Sequence, residues 1–303
     1  MLTRRGFTLV ELLIALVLLG IVSAGIYRVL VNNQRIYQAQ TQRIDLQQNI
    51  RAATTILPAE LRELDAADGD LIAIGPTSLS LRAPRQLGII CGVPTIGALA
   101  GGVAAVTMLV RTPLYGTRDL NAASDQLLVY YEGQQGATND DGWVRGPISQ
   151  DLGPTTCADT KNSPARRLVG SLTFGVNQFA VTGMIPNGAP VRGFEVVTYS
   201  LYQAADGRWY LGYQGSQPGE TRQPLIGPLV DANGVLFEYF NAAGAVATNP
   251  TQVAQIRITL RAQTAQLVQQ QAGPRQYVTD SIVTTVALRN NRRPNWVTIA
   301  PGS

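Results

Sequence analysis

The longest apolar stretch of the chain lies close to its start, between residues 7 and 26. The polar side chains inside this stretch are those of Thr8, Glu11 and Ser23. Twenty helical residues extend about 30 Å, which is the thickness of the hydrocarbon core of a bilayer. Arg4 and Arg5 directly precede the stretch, and positive residues favour the cytoplasmic side of a membrane. The pattern therefore predicts one membrane-spanning helix whose N-terminus faces the cytoplasm.

A helical stripe of apolar residues continues beyond this span. Its members recur at intervals that keep them on one helix face: Val29, Ile36, Ala39, Leu46, Ile50, Ala53, Leu57 and Leu64. Arg43 interrupts the stripe, and Pro58 predicts a kink or a new turn after Leu57. The acidic, glycine-containing segment 65–70 is typical of a helix end. We therefore expect a single helix from the membrane to about Leu64, with its second half packed on the domain that follows.

After residue 70 the pattern changes to short runs of β-branched and aromatic residues between turn-forming residues. These runs are Leu71–Ile74, Leu79–Leu81, Thr107–Arg111, Leu127–Tyr131, Phe194–Tyr202, Trp209–Tyr213, Leu236–Phe240, Ile256–Leu260 and Ser281–Leu288. Asp206-Gly207 between two of them is a strong hairpin signal, and the last two runs are expected to form a pair. The sequence thus predicts an α+β fold, in which a long N-terminal membrane-spanning helix packs on a C-terminal, predominantly antiparallel β domain.

Residues 87–110 carry no charge and invite a second interpretation. They could form a second membrane helix, because Gly88/Gly92 and Gly97/Gly101 have the spacing of helix-packing glycines. The segment also contains Pro94 and is only weakly hydrophobic. We favour buried strands joined by a glycine-rich loop.

The composition argues against an enzyme. The 303-residue chain has no histidine, which removes the usual general base and the common nucleophile and metal arrangements. It shows no nucleotide-binding glycine loop, zinc spacing or nucleophile elbow, so we expect no catalytic residue and no cofactor. The net charge of +4 comes from scattered arginines rather than a dense basic stripe, which makes a nucleic-acid partner unlikely.

Two pairs of residues could carry structural chemistry. In an exported domain the two cysteines, Cys91 and Cys157, suggest one disulfide, although two unpaired buried cysteines remain an alternative. Asp140 and Asp141 lie in an acidic turn and are weak candidates for binding Ca²⁺. A second acidic turn, at residues 65–70, has a similar composition. Neither turn has a closing glutamate, so solvated turns without a metal are the plainer interpretation.

Glu11 is the anomaly of the apolar stretch. A secretory signal peptide cleaved after Ala24 would release a soluble protein, but it would not explain the carboxylate. An acidic group at mid-membrane costs about 2.5–3.5 kcal/mol on insertion scales and is by default a functional candidate. If cleavage after Gly6 freed the amine of Phe7, Glu11 of one subunit could neutralise the amine of its neighbour. A buried ion pair is costly to break, so this contact would fix the axial register between helices.

Residues 5–13, Arg-Gly-Phe-Thr-Leu-Val-Glu-Leu-Leu, closely resemble the class III signal of type IV pilins and type II secretion pseudopilins. The resemblance implies cleavage between Gly6 and Phe7 by prepilin peptidase, N-methylation of Phe7 and a role of Glu11 in subunit assembly. It also implies an inner-membrane precursor with a periplasmic β domain, whose partners are other pilin-like subunits and an assembly platform. The expected divisions are a leader (1–6), a pilin helix (7–64) and a β-rich domain (65–303).

The size of the region after the helix is more typical of a minor subunit. Segments 199–210, 228–244 and 256–260 are similar in spacing to PilW-type minor pilins and to the J-type minor pseudopilin. That similarity implies a tip complex that primes fibre assembly. An exported module that binds DNA, a sugar or a surface receptor is the alternative function. The sequence leaves open whether the fibre is a pilus, a secretion pseudopilus or part of a DNA-uptake machine.

Overall fold

The fold is described from a computed structural model, in which residues 8–133, 141–175, 178, 181, 183–269 and 273–289 are described. One long helix, α1 (Leu9–Arg62), precedes a sheet of fourteen strands. The strands are β1 (Leu71–Ile74), β2 (Ser78–Ile89), β3 (Thr95–Ile96), β4 (Val103–Arg111), β5 (Tyr115–Gly116), β6 (Asp125–Tyr131), β7 (Gly142–Thr156), β8 (Pro164–Thr173), β9 (Pro190–Gln203), β10 (Trp209–Gln214), β11 (Gln223–Leu229), β12 (Val235–Phe240), β13 (Gln255–Gln263) and β14 (Thr279–Ala287). A short 3₁₀ helix, Pro250–Gln252, lies between β12 and β13. The predicted α+β class is confirmed.

Helix α1 is 54 residues long and continues through Pro58, so the helix does not end at the predicted kink or new turn after Leu57. Residues 8–45 are not buried, and burial begins at Leu46. The expectation that the second half of the helix packs on the following domain is confirmed from Leu46 onward, whereas Val29 and Ile36, the first members of the apolar stripe, are 60% and 47% exposed. These residues precede the point at which the sheet reaches the helix.

The sheet is antiparallel throughout its described pairs. Its main path runs β12-β13-β11-β10-β9-β6-β7-β8-β4-β3, with β14 beside β13 and β2 beside β9. Strand β9 is the central element, because β2 pairs along one of its edges while β6 and β10 share the other.

Local sequence explains the predicted hairpins. Gly207 has a φ of 75° in the turn between β9 and β10, a conformation that a glycine adopts without a Cβ clash. Strands β13 and β14 alternate apolar and polar side chains and pair over nine residues, as predicted. Residues 87–110 form the end of β2, all of β3 and most of β4, so the alternative of a second membrane helix is wrong.

Buried side chains form two large clusters. The helix-side core contains the C-terminal third of α1 and the inner faces of β1, β2 and β9–β14, including Leu57, Tyr199 and Ile258. The distal core lies between β4, β6, β7, β8 and the beginning of β9, around residues such as Val106 and Leu168. Strand β9 contributes to both cores, and β2 pairs along it and leads into Ile90 of the distal core, so this strand pair joins the two parts of the sheet.

Candidate assembly helix and its attachment to the sheet

The N-terminus of α1 is closed by a capping box made of Thr8 and Glu11. The backbone N–H of Glu11 donates to Thr8 Oγ1 at 3.3 Å, and Glu11 Oε2 accepts from the backbone N–H of Thr8 at 3.0 Å. Such reciprocal bonds satisfy two of the otherwise unpaired N–H groups of a helix start. Glu11 thus has an intrachain role in this structure. The predicted processing residues, Gly6 and Phe7, lie outside the described residues.

The first part of α1 carries an uncovered apolar surface. Leu9, Val10 and Leu16 are at least 65% exposed, and no residue from 8 to 30 is even half-buried. Within the described residues α1 is the one helix long and apolar enough to cross a bilayer. The 37 residues from Leu9 to Asp45, before full burial begins, extend about 55 Å, so about 25 Å of the helix would lie beyond a hydrocarbon core of about 30 Å.

The sheet holds the other end of α1 through a continuous apolar contact. Leu57 and Leu61 are fully buried, and they pack in the helix-side core with side chains of β13 and β14. Two polar contacts bracket this region. The side chain of Gln42 accepts from the backbone N–H of Gln266 at 3.1 Å, and the carbonyl of Arg62 accepts from the N–H of Arg289 at 3.0 Å.

A buried polar junction fixes α1 to the centre of the sheet; it comprises Glu60, Arg85, Glu195, Arg118, Asp125, Tyr199 and Tyr213. Arg85 on β2 donates to Glu60 of the helix at 2.9 Å and to Glu195 of β9 at 3.2 Å. The side chains of Arg85 and Glu195 are 11% and 5% exposed. The guanidinium therefore joins the helix and the central strand pair through one charge.

The other half of the junction lies where β6 and β10 diverge along β9. Arg118 donates to both carboxylate oxygens of Asp125, at 2.7 Å and 2.5 Å, and to Glu195 at 3.1 Å. Asp125 also accepts from the backbone N–H of Asn121 at 2.7 Å. Because every charge in this half has an opposite partner, the region between the two cores is polar without unpaired charges among these residues.

Electrostatics in the junction favour the charged forms of its arginines. Burial lowers the pKa of Arg85, but hydrogen bonding and attraction from Glu60 outweigh burial, so the pKa lies above its usual range. Hydrogen bonding to Asp125 raises the pKa of Arg118. Burial, followed by the charge of Glu60, raises the pKa of Tyr199, whose hydroxyl donates to that carboxylate. Arg85 and Arg118 therefore stay positively charged, and Tyr199 stays protonated, over the whole physiological pH range.

Sequence reasoning did not find this junction. Its central members are far apart in the chain, since Arg85 and Glu195 are separated by 110 positions. The sequence did contain one indication. Glu195 lies two and four positions before Val197 and Tyr199 on the same strand, so its side chain points to the same face, and both of those residues face the helix-side core. A charge at an inward-facing position of a buried strand requires a partner, although the pattern does not say which one.

The structure brings Cys91 and Cys157 together in a disulfide with a Cα–Cα distance of 5.6 Å. The bond joins the segment after β2 to the turn between β7 and β8, and both cysteines are buried with Ala165. The described chain contains no free cysteine.

The acidic turns behave differently from each other. Asp140 lies outside the described residues, and Asp141 is half-buried next to it. In the other turn, Asp65 Oδ1 accepts from the N–H groups of Ala67 and Asp68, and Asp70 Oδ2 accepts from the N–H of Asp65 at 2.9 Å. These carboxylates stabilise the chain reversal after α1. No group of three or more metal-ligating side chains occurs in the described part of the chain.

Residues 1–27 match the family described as the prokaryotic N-terminal methylation motif. The matched region contains the basic start, Gly6, Phe7, Glu11 and the uncovered apolar part of α1. No curated protein and no solved structure matches the chain. The chain therefore carries a type IV pilin-like signal on a membrane-anchoring helix, which supports pilin-like processing and assembly of a structural subunit.

Proposed function

We propose that this chain is a minor pilin or minor pseudopilin that helps to prime or tip a type IV pilus or a type II secretion pseudopilus. One observation carries the proposal. The methylation motif is continuous with a 54-residue helix whose first part is exposed and whose C-terminal third packs against a large sheet. The exposed apolar part of the helix could lie in a bilayer or pack in a bundle of neighbouring helices. The sheet would then lie outside the membrane or on the surface of the bundle. The division into 1–6, 7–64 and 65–303 follows from this proposal.

Prepilin peptidase would cleave after Gly6, and Phe7 would then be N-methylated. Removal of the leader would leave Phe7 as the first residue, four positions before Glu11 in the sequence. In the precursor the carboxylate of Glu11 is bound by Thr8 within the same chain. Assembly would place the amine of a neighbouring subunit near this carboxylate, where it adds a charged donor to the two bonds from Thr8.

Sequencing the N-terminus of the mature protein tests the processing step. We expect N-methylated phenylalanine from position 7, whereas a mature protein that begins at Gly25 would refute the pilin-like function. A Gly6→Leu variant should retain its leader, while Thr3→Ala should be processed normally.

The assembly step is tested by fibre content. Glu11→Ala should insert in the membrane at wild-type levels and be lost from sheared fibres. Ser23→Ala, which removes another polar group from the same span, should still be incorporated.

Quantitative mass spectrometry of wild-type fibres should find this chain at a small fraction of the copy number of the major subunit. Equal copy numbers would exclude the minor role.

A further inference from the structure

Strand β14 is an edge of the sheet. It pairs with β13 over nine residues without a register shift, and no other described strand pairs with it. Thr279, Ser281, Val283 and Thr285 are all exposed on this strand.

Hydrogen bonds at the two ends of the strand define which backbone groups face the open side. The N–H of Leu288 donates to Ala254 at 3.0 Å, and the N–H of Thr264 donates to Val278 at 2.9 Å. Residues of an antiparallel strand alternate between bonding to the partner and facing away from it. The even-numbered residues of β14 therefore bond to β13, and the odd-numbered residues direct N–H and C=O outward: Thr279, Ser281, Val283, Thr285 and Ala287. Among the described residues only the outward N–H of Ser281 has a partner, the carboxylate of Asp280 at 2.8 Å.

Natural edges are blunted by charged side chains, above all lysine, by proline, by bulges or by a covering loop. Among the described residues the edge of β14 has one such feature, Asp280, whose carboxylate covers the outward N–H of Ser281 near the start of the strand. Residues 279–287 contain no proline and no basic residue, and their pairing has no bulge. The outer side of β12, by contrast, is covered where the N–H of Phe237 donates to the carbonyl of Pro76 at 2.7 Å. The open edge of β14 is therefore suited to pairing with another strand.

The position of the edge restricts what can reach it. The inner face of β14, including Ile282 and Val286, packs against the C-terminal third of α1, and Arg289 directly after the strand bonds to the end of the helix. A neighbour whose helix lies beside α1 is therefore brought to this edge.

Geometry excludes a two-fold pair of copies of this chain. Two identical edges related by a two-fold axis pair antiparallel, and the axis is then perpendicular to the sheet. Helix α1 packs on the face of the sheet, so such an axis would reverse its direction in the second copy. Two N-terminal segments that point in opposite directions cannot be anchored in the same way in one membrane.

We propose that the outward edge of β14 pairs with an extended strand of a different pilin-like subunit, whose membrane helix runs parallel to α1. Main-chain hydrogen bonds along the odd-numbered residues supply affinity in such strand addition, and the alternate side chains supply selectivity. The inference rests on the proposed function, since it names the neighbour that assembly places beside α1.

Site-specific crosslinking in the native membrane tests the pairing. A photoreactive benzophenone residue replaces Thr285 of the full-length chain, and mass spectrometry identifies the crosslinked product. We expect one protein that itself carries an N-terminal methylation motif. The product should be reduced at least tenfold by Val283→Pro, which removes an outward N–H without breaking a bond to β13, and be unchanged by Val283→Thr. Val283→Lys, a charged edge residue, should repeat the loss if the proline variant is unstable.

Other products overturn the proposal. A crosslink to a second copy, a crosslink within the chain to residues 290–303, or no product would each refute pairing with a different subunit, as would an undiminished product in both the proline and lysine variants. The effect of Glu11→Ala on fibre content tests the proposed assembly function independently of the crosslink. If that variant loses fibre incorporation while the β14 variants assemble normally, the edge proposal fails and the assembly function stands. If wild-type protein is absent from fibres, the assembly function fails whatever the crosslink shows.

Discussion

Arg85 is the residue whose loss should most weaken the attachment of the helix to the sheet. It donates to Glu60 of α1 and to Glu195 of β9, and its side chain is 11% exposed. An Arg85→Met substitution preserves most of the side-chain volume but leaves both carboxylates without this donor. Glu195 keeps Arg118, and Glu60 keeps Tyr199, so the remaining charges are only partly compensated.

The expected loss of stability follows from the burial of the pair. Removing one partner of a buried ion pair costs about 3–5 kcal/mol, and the 22% exposure of Glu60 favours the lower value. We therefore expect about 3 kcal/mol, roughly a 150-fold change in the unfolding equilibrium. A region of this size loses about 2–4 °C of melting temperature per kcal/mol, which predicts a decrease of about 6–12 °C.

Thermal and urea unfolding of the full-length protein in detergent, followed by tryptophan fluorescence, measures the effect. Arg208→Met is the matched control, because Arg208 is 40% exposed and its contact with Asp206 is 3.9 Å long. A surface pair of this kind should change stability by less than about 0.5 kcal/mol. A double-mutant cycle with Glu60→Gln should give a coupling of about 1–3 kcal/mol. A melting change below about 2 °C for Arg85→Met, or a coupling near zero, would refute the view that this ion pair fastens the helix.

Three further substitutions test other parts of the structure. Leu57→Ala should lower the free energy of unfolding by about 2–5 kcal/mol, because the side chain is fully buried, whereas Ile44→Ala, at an exposed helix position, should change it by less than about 0.5 kcal/mol in the same urea titration. Cys91→Ser combined with Cys157→Ser should cost about 4 kcal/mol on the chain-entropy model for a separation of 66 residues, and a reducing agent should lower the melting temperature of the wild type but not of the double variant. Burial raises the pKa of Asp70 in the folded state, so folding favours the protonated carboxyl. The stabilising contribution of this protonated form is fully present below the unfolded-state pKa and is lost as pH rises through the folded-state pKa. Asp70→Asn, which keeps an acceptor for the N–H of Asp65, should therefore be more stable than the wild type at pH 7, with a difference that shrinks toward pH 4 in urea titrations.

Each of these has a result that would contradict it. Equal losses for Leu57→Ala and Ile44→Ala would mean that burial does not distinguish the two helix faces. An unchanged melting temperature without the disulfide would place the two cysteines in a part that unfolds separately. A difference between Asp70→Asn and the wild type that grows on acidification would reverse the assigned pKa direction.

The sequence predicted those elements whose signals are local. The apolar run, the long helix and the hairpin at Gly207 follow from composition, periodicity and turn chemistry over a few residues. The β7–β8 hairpin was not predicted, because β7 contains Gly146 and Pro154 and so does not have the pattern of a strand. Its neighbours in the sheet, rather than its own residues, hold it extended.

The candidate site divides in the same way. Gly6, Phe7 and Glu11 belong to one short motif, and the sequence alone could point to them. The buried junction could not be derived, because Glu60, Arg85 and Glu195 meet only when α1, β2 and β9 have been assembled. An inward-facing glutamate in a strand indicates that a partner exists, but which residue is the partner depends on the fold.

The bare first half of α1 has a thermodynamic consequence for assembly. If the chain passes from bilayer to fibre as proposed, its leucines and valines exchange lipid tails for neighbouring side chains of nearly the same polarity. The hydrophobic effect then contributes little to the direction of that transfer, since both surroundings already exclude water. What distinguishes the two states is close packing and the solvation of the few polar groups, with Glu11 foremost among them. One carboxylate in a mostly apolar stretch of twenty residues can therefore bias a transfer equilibrium that the apolar side chains hardly affect.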